Sequence, residues 1–278
     1  MRGPLICALT AALMLPTAAW AADSEPLPAK VIMGESRKGT PIVAKRQGPA
    51  DAEHVLLVLG QMHGDEPYGR YVVDKLRAMK PKKNTAIWTV RTMNPDGSKL
   101  RTRRNAARVD LNRNFPDNWL PGDPASLYYS GPKAASEPET QAFMEGINQI
   151  KPDAIVSYHQ HANLVDIGQS EKVVPWVRRL SGDLRLPVSR ISCVTKCAGT
   201  MTGWFNNTFE GWAVTVELPR SITPARQRSM ARAMVRLAPD LTPTQDRVVP
   251  TPTPTPTPTV TPAPTPTVTE SPAPTPAP

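Results

Sequence analysis

The sequence GQMHGDEP at residues 60–67 decides the fold, because it places a histidine and a glutamate three residues apart where an apolar run ends. The run before it, VLLVL at residues 55–59, predicts a short buried strand. Apolar residues then recur at helical spacing, at Tyr68, Val72, Leu76 and Met79. Pro67 suits the first position of a helix and disfavours helical geometry at the residue before it. We therefore predict a strand, a loop that carries His63 and Glu66, and a helix.

The same alternation of strand and helix continues along the chain. Further strand-like runs lie at residues 86–90, 154–158 and 213–216, and two shorter runs at residues 31–33 and 41–44 predict edge strands. Helical patterns lie near residues 137–150, 171–184 and 225–237. Alternating strands and helices are typical of an α/β domain, in which ligands bind at the carboxyl ends of the strands. We predict a single α/β domain with a largely parallel, mixed central sheet flanked by helices.

Three local predictions concern the connections. The Asn-Pro and Asp-Gly pairs within residues 93–97 predict a tight turn. Ser136 is predicted to cap the following helix, with Glu139 completing a capping box. The glycine-containing segment between Leu184 and Gly211 is predicted to be a loop.

The two ends of the chain are predicted to lie outside the domain. Residues 1–21 combine one arginine, an uncharged apolar run and small residues near the end, which is the pattern of a secretory signal peptide rather than a membrane span. Residues 250–278 are a Thr/Pro-rich tract with a single charged residue, which predicts a disordered tail or a polyproline II stalk. The catalytic domain would then cover residues 22–249. We expect the protein to be secreted, or periplasmic or associated with the cell wall.

Charge and cysteine content indicate the environment in which this domain works. The chain carries 33 Lys and Arg against 24 Asp and Glu, a net charge of +9, and removing Arg2 with the leader and Glu270 with the tail leaves that charge unchanged. A basic domain favours anionic surroundings. With a secretion signal and no nucleic-acid motif, an anionic envelope polymer is favoured over nucleic acid. Cys193 and Cys197 predict a disulfide in an oxidising compartment, and the sequence indicates no oligomeric state.

Four polar residues follow three of the predicted strands: His63 and Glu66 follow the first, His159 the second and Glu217 the third. Two histidines and one carboxylate are a known ligand set of catalytic zinc. Glu217 would then be a carboxylate able to move protons beside the metal. His161 is an alternative ligand, because residues 159 and 161 share one face of an extended strand. From spacing alone, ordinary surface or hydrogen-bonding roles for the histidines stay open.

Six motifs in order add a resemblance to a known family. They are HGDE at residues 63–66, MNPDG at 93–97, DLNRNF at 110–115, SGP leading to SEPET at 130–140, SYH at 157–159 and VELP at 216–219. This series resembles the zinc metallocarboxypeptidases of the carboxypeptidase A type, family M14. The resemblance implies the α/β fold of that family and a peptide hydrolase that binds one Zn²⁺.

The resemblance also implies roles for single residues. It assigns His63, Glu66 and His159 as the zinc ligands. It assigns Glu217 and Arg104 as the catalytic residues. Asn112 and Arg113 would grip the terminal carboxylate of the substrate. The arginine would polarise the scissile carbonyl, because a fixed guanidinium stabilises developing negative charge. Arg101 and Arg103 are the alternatives for that role. A guanidinium fork is also suited to gripping a carboxylate.

The chain departs from the digestive members of the family in two ways. It is shorter, and no tyrosine occurs between His159 and Glu217, where those enzymes have a mobile one. Three aromatic residues of that interval are interpreted as core or pocket wall: Trp204, Phe205 and Trp212. The compact size and the HGDE motif are closest in character to bacterial murein peptide amidase A-like enzymes, which cut the bond between γ-D-glutamate and meso-diaminopimelate. Asp65 would either contact a cationic group of such a substrate or shape the turn.

Other functions stay open at this point. One is a general carboxypeptidase that acts on ordinary peptides, and another is an acylase similar to aspartoacylase or succinylglutamate desuccinylase. The NPDG and SEPET segments argue against the acylase. A protein of a different class, a zinc-free module that binds cell-wall peptides without cutting them, is disfavoured by the complete ligand set and by Glu217.

Overall fold

The computed structural model describes residues 26–166, 174–191 and 197–244. The predicted signal peptide (residues 1–21), the Thr/Pro-rich tail (residues 250–278) and Cys193 lie outside the described residues, so those predictions and the disulfide stay predictions. Among the described residues, no helix is both long and apolar enough to cross a membrane.

One mixed sheet of eight strands organises the described part of the chain. The strands are β1 (Lys30–Glu35), β2 (Pro41–Gln47), β3 (His54–Leu59), β4 (Thr85–Val90), β5 (Ala154–Gln160), β6 (Leu164–Asp166), β7 (Val188–Ser189) and β8 (Trp212–Leu218). Their order across the sheet is β1-β2-β4-β3-β5-β8-β6-β7. The four central strands β4, β3, β5 and β8 run parallel, and antiparallel pairs flank them on both sides. The predicted α/β domain with a largely parallel, mixed sheet is confirmed.

Helices cover both faces of this sheet. They are α1 (Tyr68–Leu76), α2 (Pro95–Leu100), α3 (Pro138–Ile150), α4 (Val174–Leu184), α5 (Met201–Thr208) and α6 (Pro224–Leu237), with short 3-10 helices at Leu111–Arg113 and Ala238–Asp240. One apolar layer lies under α1, α4 and α6, and the other under α3 and α5. Because side chains alternate along a strand, β3 sends Leu56 and Val58 into the first layer and Leu57 and Leu59 into the second. Burial on both faces explains why β3 is apolar from Val55 to Leu59.

The capping box predicted at the start of α3 is wrong. The N-cap is Glu137, without a side-chain capping bond, and the Ser136 hydroxyl donates to the Glu137 carboxylate over 2.9 Å. The Glu139 carboxylate accepts from the backbone N–H of Arg37 at 2.9 Å and from Asn105 Nδ2 at 3.0 Å. Both predicted capping side chains therefore bind other partners, and those of Glu139 lie far away in the sequence.

Other connections also differ from the predictions. The MNPDG segment begins α2 rather than forming only a turn, because Asn94 Oδ1 accepts from the Gly97 N–H at 2.9 Å and caps the helix. The segment predicted as a loop contains β7 and α5, and the Thr200 hydroxyl caps α5. β2 pairs on both sides and is not an edge strand. The short β6, also unpredicted, pairs with β8.

Gly69, in the first turn of α1, sets how closely this helix approaches the sheet. A methyl group at Gly69 would overlap the carbonyl oxygen of Gly60 and lie 2.5 Å from Cβ of Tyr158. Both neighbours belong to the framework around the carboxyl ends of β3 and β5, so neither can move without shifting the loop at residues 60–67. The position of this loop therefore depends on a residue without a side chain.

We predict that Gly69→Ala lowers the free energy of unfolding by about 1–3 kcal/mol, because overpacking a fixed backbone contact forces displacement. Gly182→Ala in α4 is the matched control, since a methyl group there meets no atom within 4 Å. That control should be neutral or stabilise by up to about 1 kcal/mol through helix propensity. Urea denaturation of the metal-free proteins measures both, and equal midpoints for the two variants would contradict the prediction.

Candidate metal centre and active site

Three ligand-type side chains meet at the carboxyl ends of β3 and β5. His63 and Glu66 lie on the loop between β3 and α1, and His159 lies near the end of β5. His63 Nδ1 is 2.9 Å from Glu66 Oε1 and 3.2 Å from His159 Nδ1, and His159 Nδ1 is 3.2 Å from Glu66 Oε2. All three residues are buried. The structure thus brings together the three predicted zinc ligands.

The spacing of these atoms fits a zinc ion. With bonds of about 2.0–2.1 Å, the ligand atoms of a tetrahedral zinc site lie roughly 3.3 Å apart. The separations of 2.9 to 3.2 Å are close to that value. Two imidazoles and one carboxylate are also the donor types of catalytic zinc, with a position left for water or substrate. Within the described ranges, no other group of three or more such side chains is arranged to hold a metal.

Hydrogen bonds at the far ring nitrogens orient both imidazoles. His63 Nε2 lies 3.0 Å from Oδ1 of the fully buried Asp110, and His159 Nε2 lies 3.1 Å from the Ser157 hydroxyl. Partners of this kind fix which nitrogen of a metal-binding histidine faces the metal. The sequence alone assigned no role to Asp110 or Ser157. The only signal for them was their presence in the DLNRNF and SYH motifs.

Glu66 is fixed by the end of β5 as well as by the histidines. The backbone N–H of Gln160 donates to Glu66 Oε2 at 3.1 Å. The side chain of Gln160 also accepts from the backbone N–H of Tyr68 at 2.9 Å, which ties β5 to the first turn of α1. The loop and the strand that supply the ligands are therefore joined by hydrogen bonds that need no metal.

Neighbouring charges set the protonation of the cluster in the metal-free protein. Burial raises the pKa of Glu66, but His63 and His159 outweigh it and hold that pKa well below its usual range. Burial also raises the pKa of Asp110, but His63 and Arg103 outweigh this effect and lower that pKa. Burial lowers the pKa of His63, but the carboxylates of Glu66 and Asp110 raise it to about 9. His63 is therefore protonated at neutral pH when no metal is bound.

The arginine beside the cluster is Arg103, which corrects the assignment of Arg104. Arg103 Nε lies 3.0 Å from Asp110 Oδ2, and Arg103 Nη1 lies 3.3 Å from Glu66 Oε1. Arg104 instead donates to the backbone carbonyl of Ser126 at 2.9 Å. Adjacent side chains in an irregular loop point in different directions, and a loop without a period gives no signal for choosing between them. Arg101, the other alternative, is exposed.

Glu217 lies on the strand next to the ligands. It is paired in register with His159 across β5 and β8, so the two side chains share one face of the sheet. Its Oε2 accepts from the backbone N–H of Ala162 at 3.2 Å. His161 is exposed and is not part of the ligand group, so the structure does not support it as the alternative ligand. Asp65 is likewise exposed.

Asn112 and Arg113 lie in the first 3-10 helix, close to Arg103. Arg113 Nη1 donates to the backbone carbonyl of Asn112 at 2.7 Å, and Asn112 Oδ1 accepts from the backbone N–H of Met201 at 3.0 Å. The guanidinium carbons of Arg103 and Arg113 lie 5.1 and 5.6 Å from the ring centre of Tyr128. The structure therefore groups the two arginines around Tyr128, a residue for which the sequence predicted no role.

The aromatic residues between His159 and Glu217 lie in the apolar layers. Trp204 and Phe205 lie on the buried face of α5, and Trp212 packs half-buried against the opposite layer. This agrees with their interpretation as core or pocket wall.

Comparison with known sequences extends this picture. A family model described as zinc carboxypeptidase, peptidase M14, matches residues 20–172. Murein peptide amidase A of Escherichia coli (strain K12) is 33% identical over 157 residues, which cover 52% of this chain and 64% of that protein. Carboxypeptidase SOL1 of Arabidopsis thaliana is 32% identical over 144 residues, covering 46% of this chain and 28% of that protein. This chain thus spans less than two thirds of the length of either relative.

Among solved structures, murein-tripeptide amidase MpaA from Escherichia coli O157 superimposes with a TM-score of 0.63 at 28% identity, covering 76% of this chain and 92% of that one. The family match covers more than half of the chain and includes His63, Glu66, Asp110 and His159. Glu217 lies outside the matched range, on the strand next to His159. On the family match, the chain belongs to the zinc carboxypeptidase family, peptidase M14.

Proposed function

We propose that this protein is an exported zinc carboxypeptidase that hydrolyses a peptide bond near a free carboxylate in peptidoglycan stem peptides, of the γ-D-glutamyl-meso-diaminopimelate type. The observation that carries the hydrolase proposal is the buried group of His63, Glu66 and His159 with Glu217 in register beside it. The substrate proposal is supported by the two similar proteins named murein amidases and by the HGDE motif. The pattern at residues 1–21 supports export.

In this proposal His63, Glu66 and His159 hold one Zn²⁺. The ion would supply Lewis acidity towards a water molecule and the scissile carbonyl. Asp110 and Ser157 keep the imidazoles oriented through bonds of 3.0 and 3.1 Å. Because these partners are already in place, little rearrangement of the ligands is needed before the substrate binds.

Glu217 is the group that moves protons. Its half-buried carboxylate lies on the same face of the sheet as His159, next to the ligands. A carboxylate in this place can take a proton from the water that attacks the carbonyl carbon. It can then deliver that proton to the departing amine when the C–N bond breaks, so the same residue serves as base and then as acid.

Arg103, rather than Arg104, polarises the scissile carbonyl. Its guanidinium is held by Asp110 and Glu66 before any substrate arrives, and a preorganised positive charge stabilises an oxyanion without a cost of reorganisation. Arg113 and Asn112 grip the terminal carboxylate of the substrate. Because Asn112 Oδ1 already accepts from Met201, its Nδ2 group is the part of the side chain that donates to that carboxylate.

A carboxypeptidase of ordinary peptides is the second candidate, favoured by the similarity to Carboxypeptidase SOL1. Both candidates use the same chemistry and differ only in the substrate. The deciding experiment offers the purified protein L-Ala-γ-D-Glu-meso-diaminopimelate beside α-linked tripeptides with varied terminal residues. Preferential cleavage of the γ-linked peptide supports the amidase, and preferential cleavage of α-linked peptides overturns it. Absence of zinc from active protein would contradict both candidates.

We predict that Glu217→Gln keeps zinc but lowers kcat about 10²- to 10⁴-fold, because the amide cannot accept the proton from water. The measurements are the metal content of the purified variant and its kcat on the best substrate. Glu145→Gln on the exposed surface of α3 is the matched control and should behave as wild type. Full activity of Glu217→Gln would exclude the proposed role.

Asp110→Asn should weaken zinc binding about 10- to 100-fold, because the amide replaces a charged partner of His63 by a neutral one. A competition titration with a chelator of known affinity measures this loss. The control is Asp74→Asn, which removes the charge from an exposed pair with Arg91 and should leave zinc affinity unchanged. Equal zinc affinity of wild type and Asp110→Asn would show that the bond to His63 does not support the metal.

Zinc affinity should rise with pH, because His63 must lose its proton to bind the ion. The pKa of His63 is about 9 in the folded metal-free protein, against an ordinary 6.5. Protonation of His63 therefore stabilises the metal-free fold. This stabilisation is complete below pH 6.5 and is lost as the pH rises through 9. Between these values we expect about a tenfold gain in zinc affinity per pH unit. Calorimetry in buffers of different ionisation enthalpy gives the affinity and the protons released, and a flat affinity profile would refute the prediction.

A further inference from the structure

We propose that Tyr128 is a positioning residue whose ring holds the guanidinium groups of Arg103 and Arg113 in the places where they meet the substrate. This inference rests on the proposed function, which assigns Arg103 to the scissile carbonyl and Arg113 to the terminal carboxylate. It adds a residue from the loop that precedes α3, where no catalytic or binding role was expected.

The ring of Tyr128 lies within interaction distance of both cations. The guanidinium carbons are 5.1 Å (Arg103) and 5.6 Å (Arg113) from its centre. A cation within about 6 Å of an aromatic centre, over its face, is attracted by the negative potential of the ring. One side chain therefore contacts both of the arginines that the proposed reaction uses.

The two arginines need such a partner because they repel each other. Burial lowers the pKa of Arg113, and the charge of Arg103 lowers it further, while Asp110 opposes the shift. Asp110 also makes the close ion pair with Arg103, at 2.9 Å. The face of an aromatic ring attracts both cations without adding a second formal negative charge.

The segment that carries Tyr128 is itself fixed to the site. The backbone N–H of Asp110 donates to the carbonyl of the neighbouring Tyr129 at 2.8 Å. Arg104 donates to the carbonyl of Ser126, and the Ser126 hydroxyl accepts from the N–H of Tyr128 at 3.0 Å. Arg104 therefore supports the loop that presents the ring, although its own side chain does not face the metal ligands.

Loss of the ring should leave Arg103 in place, because the carboxylates of Asp110 and Glu66 hold it independently of the ring. Arg113 loses the attraction of the ring, whose centre lies 5.6 Å from its guanidinium carbon. A displaced Arg113 weakens the grip on the terminal carboxylate, so KM should rise while kcat changes less.

The experiment compares Tyr128→Leu, which removes the ring, with Tyr128→Phe, which keeps it. The zinc-loaded full chain is assayed on one good peptide substrate with a free terminal carboxylate and on the same peptide amidated at that end. For Tyr128→Leu we expect KM for the free acid to rise about tenfold, with kcat within about threefold of wild type. The ratio of kcat/KM between acid and amide should fall by a similar factor, and Tyr128→Phe should stay within about twofold of wild type.

Tyr129→Leu is the matched control, because it makes the same change one residue later, and no ring contact of Tyr129 is seen among the described residues. An unchanged acid-to-amide ratio in a folded Tyr128→Leu protein overturns the inference, as does an equal loss in Tyr128→Phe. An equal fall of the ratio in Tyr129→Leu also overturns it, because the effect would then belong to the loop and not to the ring. If wild type cleaves neither peptide, the proposed function fails instead, so the two failures are distinguishable.

Discussion

The buried carboxylate of Asp110 is the group on which the geometry of the site depends. It is fully buried and is bonded to His63, to Arg103 and to the backbone N–H of Asn112. An ionised carboxylate away from water is stable only when its partners stay in place, since breaking a buried pair costs about 3–5 kcal/mol. The charge of Asp110 therefore fixes at once the candidate metal ligand His63, the arginine proposed to polarise the carbonyl and the start of the 3-10 helix.

The sheet gives this charge network a rigid frame. Parallel strands end at one edge, so β3, β5 and β8 bring residues from distant parts of the sequence to a single place. The connecting loops are held by close backbone contacts: Gly69 lies against Gly60, and a side chain at Gly64 would collide with the backbone of Gly97. The polar groups can be arranged accurately because the elements that carry them have no room to shift.

The sequence alone predicted the parts of the molecule that show a hydrophobic period or a sequence motif. Apolar runs predicted the central strands, and residues at strand ends predicted the ligand group of His63, Glu66 and His159. It failed where the outcome depends on contacts distant in sequence, as at Glu139, which binds Arg37 and Asn105 instead of capping its helix. The choice between Arg103 and Arg104 failed for a related reason, because only the folded loop shows which side chain meets Asp110.

The charges around the site support the proposed preference for the anionic end of a peptide. Protonated His63, Arg103 and Arg113 are positive groups at the site, beside the ionised carboxylates of Glu66 and Asp110. Exchanging the proton on His63 for a divalent ion raises the charge of this group by one unit. At this partly buried site the added charge acts through a lower effective dielectric than in water, so it attracts a substrate carboxylate more strongly. In the proposed function the metal and the terminal carboxylate of the substrate would therefore support each other's binding, without a change in the fold.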